Sequence, residues 1–210
     1  METLTVIVLL LHALIVILSC AYVYFKTWKI YQLTGHKGLL AFRNAFMFWG
    51  IGFFLQFVIN FVSYSILWVS LHFIFYYFIT AAPLLLVYSL VWKELEGKKQ
   101  LFLHLISLIV SALALYFGEW ILFACVIAVL LYGANISYYN YQKAKKGFSQ
   151  LYFIALVLGL IGYAANYVAD NYLSALPNIF FYLLALDCAV FLTFAYGVYI
   201  TLKWPRKEKG

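Results

Sequence analysis

The chemistry this chain can do starts with one acid. Asp187 stands between Phe181-Tyr182-Leu183-Leu184-Ala185-Leu186 and Cys188-Ala189-Val190-Phe191-Leu192, with no other charge nearby. A carboxylate at the centre of a membrane helix costs about 2.5–3.5 kcal/mol even on the insertion scale, so it faces the bundle interior and takes a partner. Counted from the outer end of its apolar run, Asp187 lies roughly 14 Å into a hydrocarbon core of ~30 Å. His12, on the first apolar run, lies roughly 12 Å deep on the same rise per residue. The two reach a common level and are expected to form a buried pair able to hold or pass a proton. The plainer reading gives each a structural role: a neutral carboxyl bonded to a tyrosine, and a packed histidine with one hydrogen bond.

Around this pair the sequence sets uncharged polar groups at similar depths: Gln56 and Asn60, Tyr77 and Thr80, Asn166 and Asp170, and Tyr182. Together they are expected to ring an outward-facing cavity suited to a small amphipathic or aromatic ligand, since tyrosine offers an apolar face and a polar tip. Taken singly, each also reads as interhelical glue worth ~0.6 kcal/mol. Asn135, one turn from Tyr132, sits deeper. His72 and His104 are expected near opposite faces and cannot join His12 in a metal site. Cys20, Cys125 and Cys188 read as small packing residues inside the spans. No nucleophile–base arrangement, phosphate loop or metal motif occurs, so neither enzymatic activity nor a cofactor is expected.

The elements that must position these residues follow from composition. Of 210 residues 67% are hydrophobic and 10% charged, with mean hydropathy +0.97. A soluble domain carries about 25% charged residues; a chain this apolar has lipid as its solvent. The apolar runs are 4–25, 41–63, 69–92, 101–117, 120–141, 150–169 and 178–202. Continuous apolarity, rather than alternation, makes each a spanning helix and not a barrel strand. The expected architecture is all-α: a seven-transmembrane-helix bundle forming a single domain over residues 1–210.

Charge sets the expected orientation. All 14 basic residues fall in four places: Lys26, Lys29, Lys37 and Arg43; Lys93, Lys98 and Lys99; Lys143, Lys145 and Lys146; Lys203, Arg206, Lys207 and Lys209. The intervening connectors carry only Glu119 and Asp170, and the amino terminus Glu2. The positive-inside rule then places the amino terminus outside and the carboxyl terminus in the cytoplasm of a multi-pass cell-membrane protein. The first run is expected to be retained, because it lacks a basic flank before it and a small-residue cleavage site. The net charge of +7 is juxtamembrane and attracts anionic lipid headgroups at ~1 kcal/mol per residue, so no nucleic-acid partner is expected. Trp28, Trp92 and Trp204 stand beside these lysines as interfacial anchors.

The chain also repeats. Tyr22-x-Tyr24-x-Lys26-x-x-Lys29 matches Tyr139-x-Tyr141-x-Lys143-x-x-Lys146, ending the first and fifth runs. Gly52-Phe53-x-x-Gln56-Phe57-Val58-x-Asn60 matches Gly162-Tyr163-x-x-Asn166-Tyr167-Val168-x-Asp170 in the second and sixth, and Ile74-Phe75-Tyr76-Tyr77 matches Ile179-Phe180-Phe181-Tyr182 in the third and seventh. The order points to a parallel 3+1+3 duplication; interfacial selection for aromatic residues beside lysine is the competing reading. Ala155, Gly159 and Gly162 form a small-residue stripe on the sixth run, expected to pack inside the bundle.

Two segments resemble the microbial rhodopsins, a seven-helix family of the same polarity. Thr80-Ala81-Ala82-Pro83-Leu84-Leu85-Leu86 is similar to that family's third-helix Thr-Thr-Pro-Leu-Leu-Leu stretch, and Leu186-Asp187-x-x-x-Phe191-x-x-Phe194 to the segment holding its seventh-helix aspartate and retinal lysine. On that resemblance the lysine falls at Phe191, the primary counterion at Tyr77, the proton donor at Tyr88 and the third-helix arginine at Ile74; only the acid at Asp187 is kept. The resemblance implies a rhodopsin-like scaffold without Schiff-base photochemistry. The 3+1+3 plan also resembles the small sugar transporters and the proline-glutamine-loop families, yet the prolines here are Pro83, Pro177 and Pro205 and no Pro-Gln occurs. The leading expectation is a ligand-binding or sensory membrane protein signalling through a cytoplasmic or membrane protein partner. A small-solute or proton-coupled transporter, or a structural subunit of a membrane complex, is the alternative.

Overall fold

A computed structural model of the chain describes residues 3–62, 66–91, 99–144, 147–172 and 179–203. They form seven helices: α1 (Thr3–Thr34), α2 (Lys37–Ile59), α3 (Ile66–Val91), α4 (Lys99–Phe117), α5 (Trp120–Ala144), α6 (Gly147–Tyr172) and α7 (Ile179–Lys203). All seven are long and apolar enough to cross a membrane. Lys93, Lys98, Lys145, Lys146, Arg206, Lys207, Lys209, Trp92, Trp204, Pro177 and Pro205 lie outside the described residues.

Consecutive helices pack side by side, and α1 against α7 closes the ring. Because α3 also touches α5, α4 is left outside an inner ring of six. Exchanging α1 with α5, α2 with α6 and α3 with α7 maps that ring onto itself. It turns α1·α2 into α5·α6, α2·α3 into α6·α7, and α1·α7 into α3·α5.

The solvent is written on the outside of the bundle. Leu10, Leu11, Leu14 and Leu18 of α1 and Leu101, Leu105, Leu108 and Ile109 of α4 are exposed, while Ser107, Ser111, Ser137 and Thr80 are buried. Apolar side chains outside and hydroxyls inside invert the order of a water-soluble protein and suit lipid. Several buried hydroxyls are satisfied within their own helix. Ser107 donates to the Leu103 carbonyl at 2.9 Å, Ser111 to that of Ser107 at 2.7 Å, and Thr27 to that of Val23 at 2.7 Å. The small-residue stripe packs inward, as expected: a Cβ added at Gly159 would stand 3.8 Å from Val190 of α7 and 4.0 Å from Leu130 of α5.

The first hairpin departs from expectation. α1 runs on past Lys26 and Lys29 to Thr34, where the apolar run had been expected to end at residue 25. Lysine, tryptophan and tyrosine all extend a helix once it is nucleated. It ends at Gly35, whose φ of +61° suits a glycine and whose N–H reaches the Tyr31 carbonyl at 2.8 Å. α2 starts earlier than the apolar run because the His36 ring nitrogen accepts from the Leu39 N–H at 3.3 Å and caps it.

This lengthening corrects the place of Arg43, which lies within α2 and not in the connector. It is 7% exposed. Its guanidinium carbon stands 4.1 Å from the Trp28 ring centroid and 4.5 Å from that of Tyr24, and Nη2 donates to the Tyr24 hydroxyl at 3.2 Å. Two rings on the overhanging end of α1 thus hold the cation. A planar guanidinium stacks on a ring and an ammonium does not. Arg43→Lys is therefore expected to lower bundle stability by about 1–2 kcal/mol, read as an earlier unfolding midpoint in mixed micelles. An unchanged midpoint would remove the cage from the account of the hairpin.

Candidate functional site

A cavity of about 620 Å³ lies between α1, α2, α3, α5, α6 and α7. It extends from the end of the bundle where α1 begins, at Thr5, Asn60, His72 and Phe180, to a floor at Trp49, Phe191 and Phe194. The floor is aromatic and tightly built. Phe191 meets Phe53 at 5.3 Å and Trp49 at 5.4 Å between ring centroids, both edge to face, and Phe194 meets Phe46 at 5.1 Å. Below it the buried Tyr152 hydroxyl of α6 donates across the bundle to the Leu86 carbonyl of α3 at 3.1 Å. Phe191, at the position matching the retinal lysine of the resemblance, is 4% exposed and seals the bottom.

His12 and Asp187 meet in this cavity. Nε2 of His12 stands 3.7 Å from Oδ2 of Asp187, with the histidine 8% and the aspartate 22% exposed. The encounter follows from helix geometry. α1 and α7 begin at the same end and pack together, and about nine residues at 1.5 Å carry each side chain roughly 13 Å down its helix. Three neighbours fix the pair. Phe53 presents to the His12 ring at 5.6 Å, edge to face. α6 comes so close that a Cβ on Gly162 would lie 3.5 Å from Oδ1 of Asp187. The Tyr163 hydroxyl, next on α6, sits beside both Asp187 and Trp49.

The pair is not closed. At 3.7 Å the two groups are beyond hydrogen-bond reach, and Nε2 of His12 is buried with no partner. A buried donor or acceptor left unmade costs about 1–3 kcal/mol, and a gap above 3.5 Å between polar groups is where a bridging group fits.

Of the other residues singled out by sequence, Gln56 and Asn166 line the cavity, as does Asn60. Three do not. Tyr77 faces α4, where its hydroxyl bonds Nδ1 of His104 at 2.8 Å. Adjacent helical residues point about 100° apart, so it is Tyr76 that turns inward. Tyr182 is 74% exposed on the lipid side; five residues before Asp187, it lies about 140° around the helix from it. Thr80 is buried among α3 core residues outside the cavity. The side chain of Asp170 lies outside what the structure describes. Among the described residues no three of His, Cys, Asp and Glu form a metal site.

The mouth holds groups that sequence reasoning passed over. Gly118, at φ +109°, and Glu119 alone connect α4 to α5; glycine adopts that conformation without strain. The tight turn sets Glu119 over the cavity rim, where its Oε1 accepts from the Tyr76 hydroxyl. The His72 ring lies over Trp68, with centroids 3.7 Å apart. Its Nδ1 donates to the Trp68 carbonyl at 2.9 Å. A lone acid in a two-residue connector is the available signal, and by sequence it speaks only to membrane orientation.

No family model matches the chain, and no solved structure matches it. It is 28% identical over 211 aligned positions to an uncharacterized protein of Archaeoglobus fulgidus, an alignment that covers 90% of this chain and 89% of the relative.

Proposed function

We propose that this chain is a ligand-binding or sensory membrane protein, with the cavity around His12 and Asp187 as its binding site. The observation that carries the reading is the unpartnered Nε2 of His12, held 3.7 Å from a carboxylate at the wall of a cavity of about 620 Å³. Ligand sites of ~300–1,000 Å³ are mostly apolar, with a few convergent polar groups that fix orientation. Here Trp49, Phe53 and Phe191 supply the apolar wall, and His12, Asp187, Gln56 and Asn166 the polar points. A rhodopsin-like plan is supported by the sequential ring closed by α1 against α7 and by the retained acid at Asp187. A 3+1+3 duplication is supported by the exchange symmetry of helix neighbours. In this reading the amino terminus and the cavity mouth face outward, the chain resides in the cell membrane, and the basic cytoplasmic connectors meet a protein partner.

The test is mass analysis of small molecules that co-purify with the detergent-extracted chain. The expected result is a non-lipid molecule, near one per chain, retained by the native protein and lost from Asp187→Ala and His12→Ala variants that still elute as folded monodisperse species. Finding the same molecules on native and variant chains would sink the reading. The exchange symmetry also favours a transporter, which solute flux in proteoliposomes, stopped by the same two variants, would single out.

A further inference from the structure

The cavity has a sign. Its described lining holds two carboxyl side chains, Glu119 at the rim and Asp187 about two turns down, and no lysine or arginine. That follows from the sequence: residues 44–92, 100–142 and 147–202 contain no Lys or Arg, so α3, α6 and the stretches of α2, α5 and α7 that line the cavity cannot supply one. Arg43, the deepest basic side chain, is held by Trp28 and Tyr24 beyond the aromatic floor, towards the other end of the bundle. Histidine is the only group in the lining that can become positive, and His12 does not close on Asp187. A buried carboxylate needs a countercharge. The same lining carries the rings of Trp49, Phe53, Phe75, Tyr76 and Phe191, the surface that attracts an organic cation most strongly.

We infer that the ligand is an organic cation: an ammonium group that settles at Asp187 beside Nε2 of His12, carried on an apolar or aromatic body against Phe53, Trp49 and Phe191. This rests on the binding reading above and names its chemical class. Glu119 at the rim adds attraction on the way in, since a mouth of one sign raises the local concentration of opposite charge. The Tyr76 hydroxyl holds that carboxylate over the opening. Nε2 of His12 is buried without a hydrogen-bond partner 3.7 Å from the carboxyl, and an ammonium N–H placed in that gap meets both groups. An anionic ligand would meet two carboxyl groups and, among the described lining residues, no lysine or arginine.

The experiment uses the full chain in detergent and three probes that share a benzyl group. Benzylammonium is the cation, ethylbenzene its uncharged isostere, and phenylacetate the anion. Binding is read by titration calorimetry, with the free concentration of each probe corrected for its partition into micelles. The expected result is that the ammonium binds at least tenfold tighter than the isostere and that phenylacetate does not bind. Asp187→Asn is expected to remove that preference and leave isostere binding unchanged. Glu119→Gln, in an exposed turn, is expected to weaken ammonium binding several-fold and leave isostere binding unchanged. Equal or tighter binding of the isostere, or any preference for phenylacetate, overturns the cation inference but leaves the binding cavity standing. Failure of all three probes overturns both.

Discussion

Phe191→Ala is expected to destabilise the bundle by about 2–4 kcal/mol, below the ~3–5 kcal/mol of truncating a buried phenylalanine in a water-soluble core. Phe191 is 4% exposed and packs edge to face on both Trp49 and Phe53. In water part of such a loss is the transfer of apolar surface; lipid is as apolar as the ring, so that part is absent. What remains is lost dispersion contact and the void left behind, because neighbouring rings relax only partly into it. The void opens directly beneath the cavity. The variant is therefore expected to unfold earlier and, in the same preparation, to accept a bulkier ligand body. Unfolding in mixed micelles, followed by tryptophan emission, measures the first. A midpoint shift worth less than ~1 kcal/mol would mean that the floor is not packed as the ring distances imply.

The second large effect is expected at Gly133, on the face of α5 that meets α3. A Cβ there would lie 2.7 Å from Cγ2 of Val87. Valine is held at one rotamer in a helix, so its methyl has little freedom to swing aside. Gly133→Ala is expected to force the two helices apart and cost about 1–3 kcal/mol. It removes the contact that leaves α4 outside the inner ring. Gly162→Ala is the matched control, since its Cβ would meet Oδ1 of Asp187 at 3.5 Å and Leu186 at 3.7 Å, ordinary van der Waals separations. Equal unfolding midpoints for the two variants would show that the α3·α5 approach is not close-packed.

Residue type exposed one part of the site and concealed another. Asp187 and His12 were legible because a charge and an imidazole within apolar runs are costly, and depth follows from counting along a helix. Their meeting additionally needed α1 beside α7, which the helix neighbours supply. Tyr77 and Tyr182 had the depth but not the direction. Continuous apolarity carries little angular information, because a membrane helix is apolar on its lipid face as well as its packed face. Tyr76, a neighbour of the same type, took the inward place. Glu119 was legible as an acid but not as part of a site, since a connector residue gains its role from the turn that aims it. Arg43 was read as a connector charge because aromatic residues beside lysine mark both an interface and a helix that overhangs it.

The sequence by itself determined seven apolar helices and the absence of any basic residue from most of their length. Both are statements about composition along a line, and the cost of placing charge in lipid enforces them without reference to packing. It also carried three pairs of similar segments in the same order, which is order along the same line. Only the tertiary structure decided which face of each helix turns inward, that His12 stops 3.7 Å short of Asp187 with its nitrogen unmet, and that Glu119 overhangs the same cavity. Helix rotation in lipid is set by side chains from distant parts of the chain fitting together, and a fit between surfaces is a property of neither surface alone.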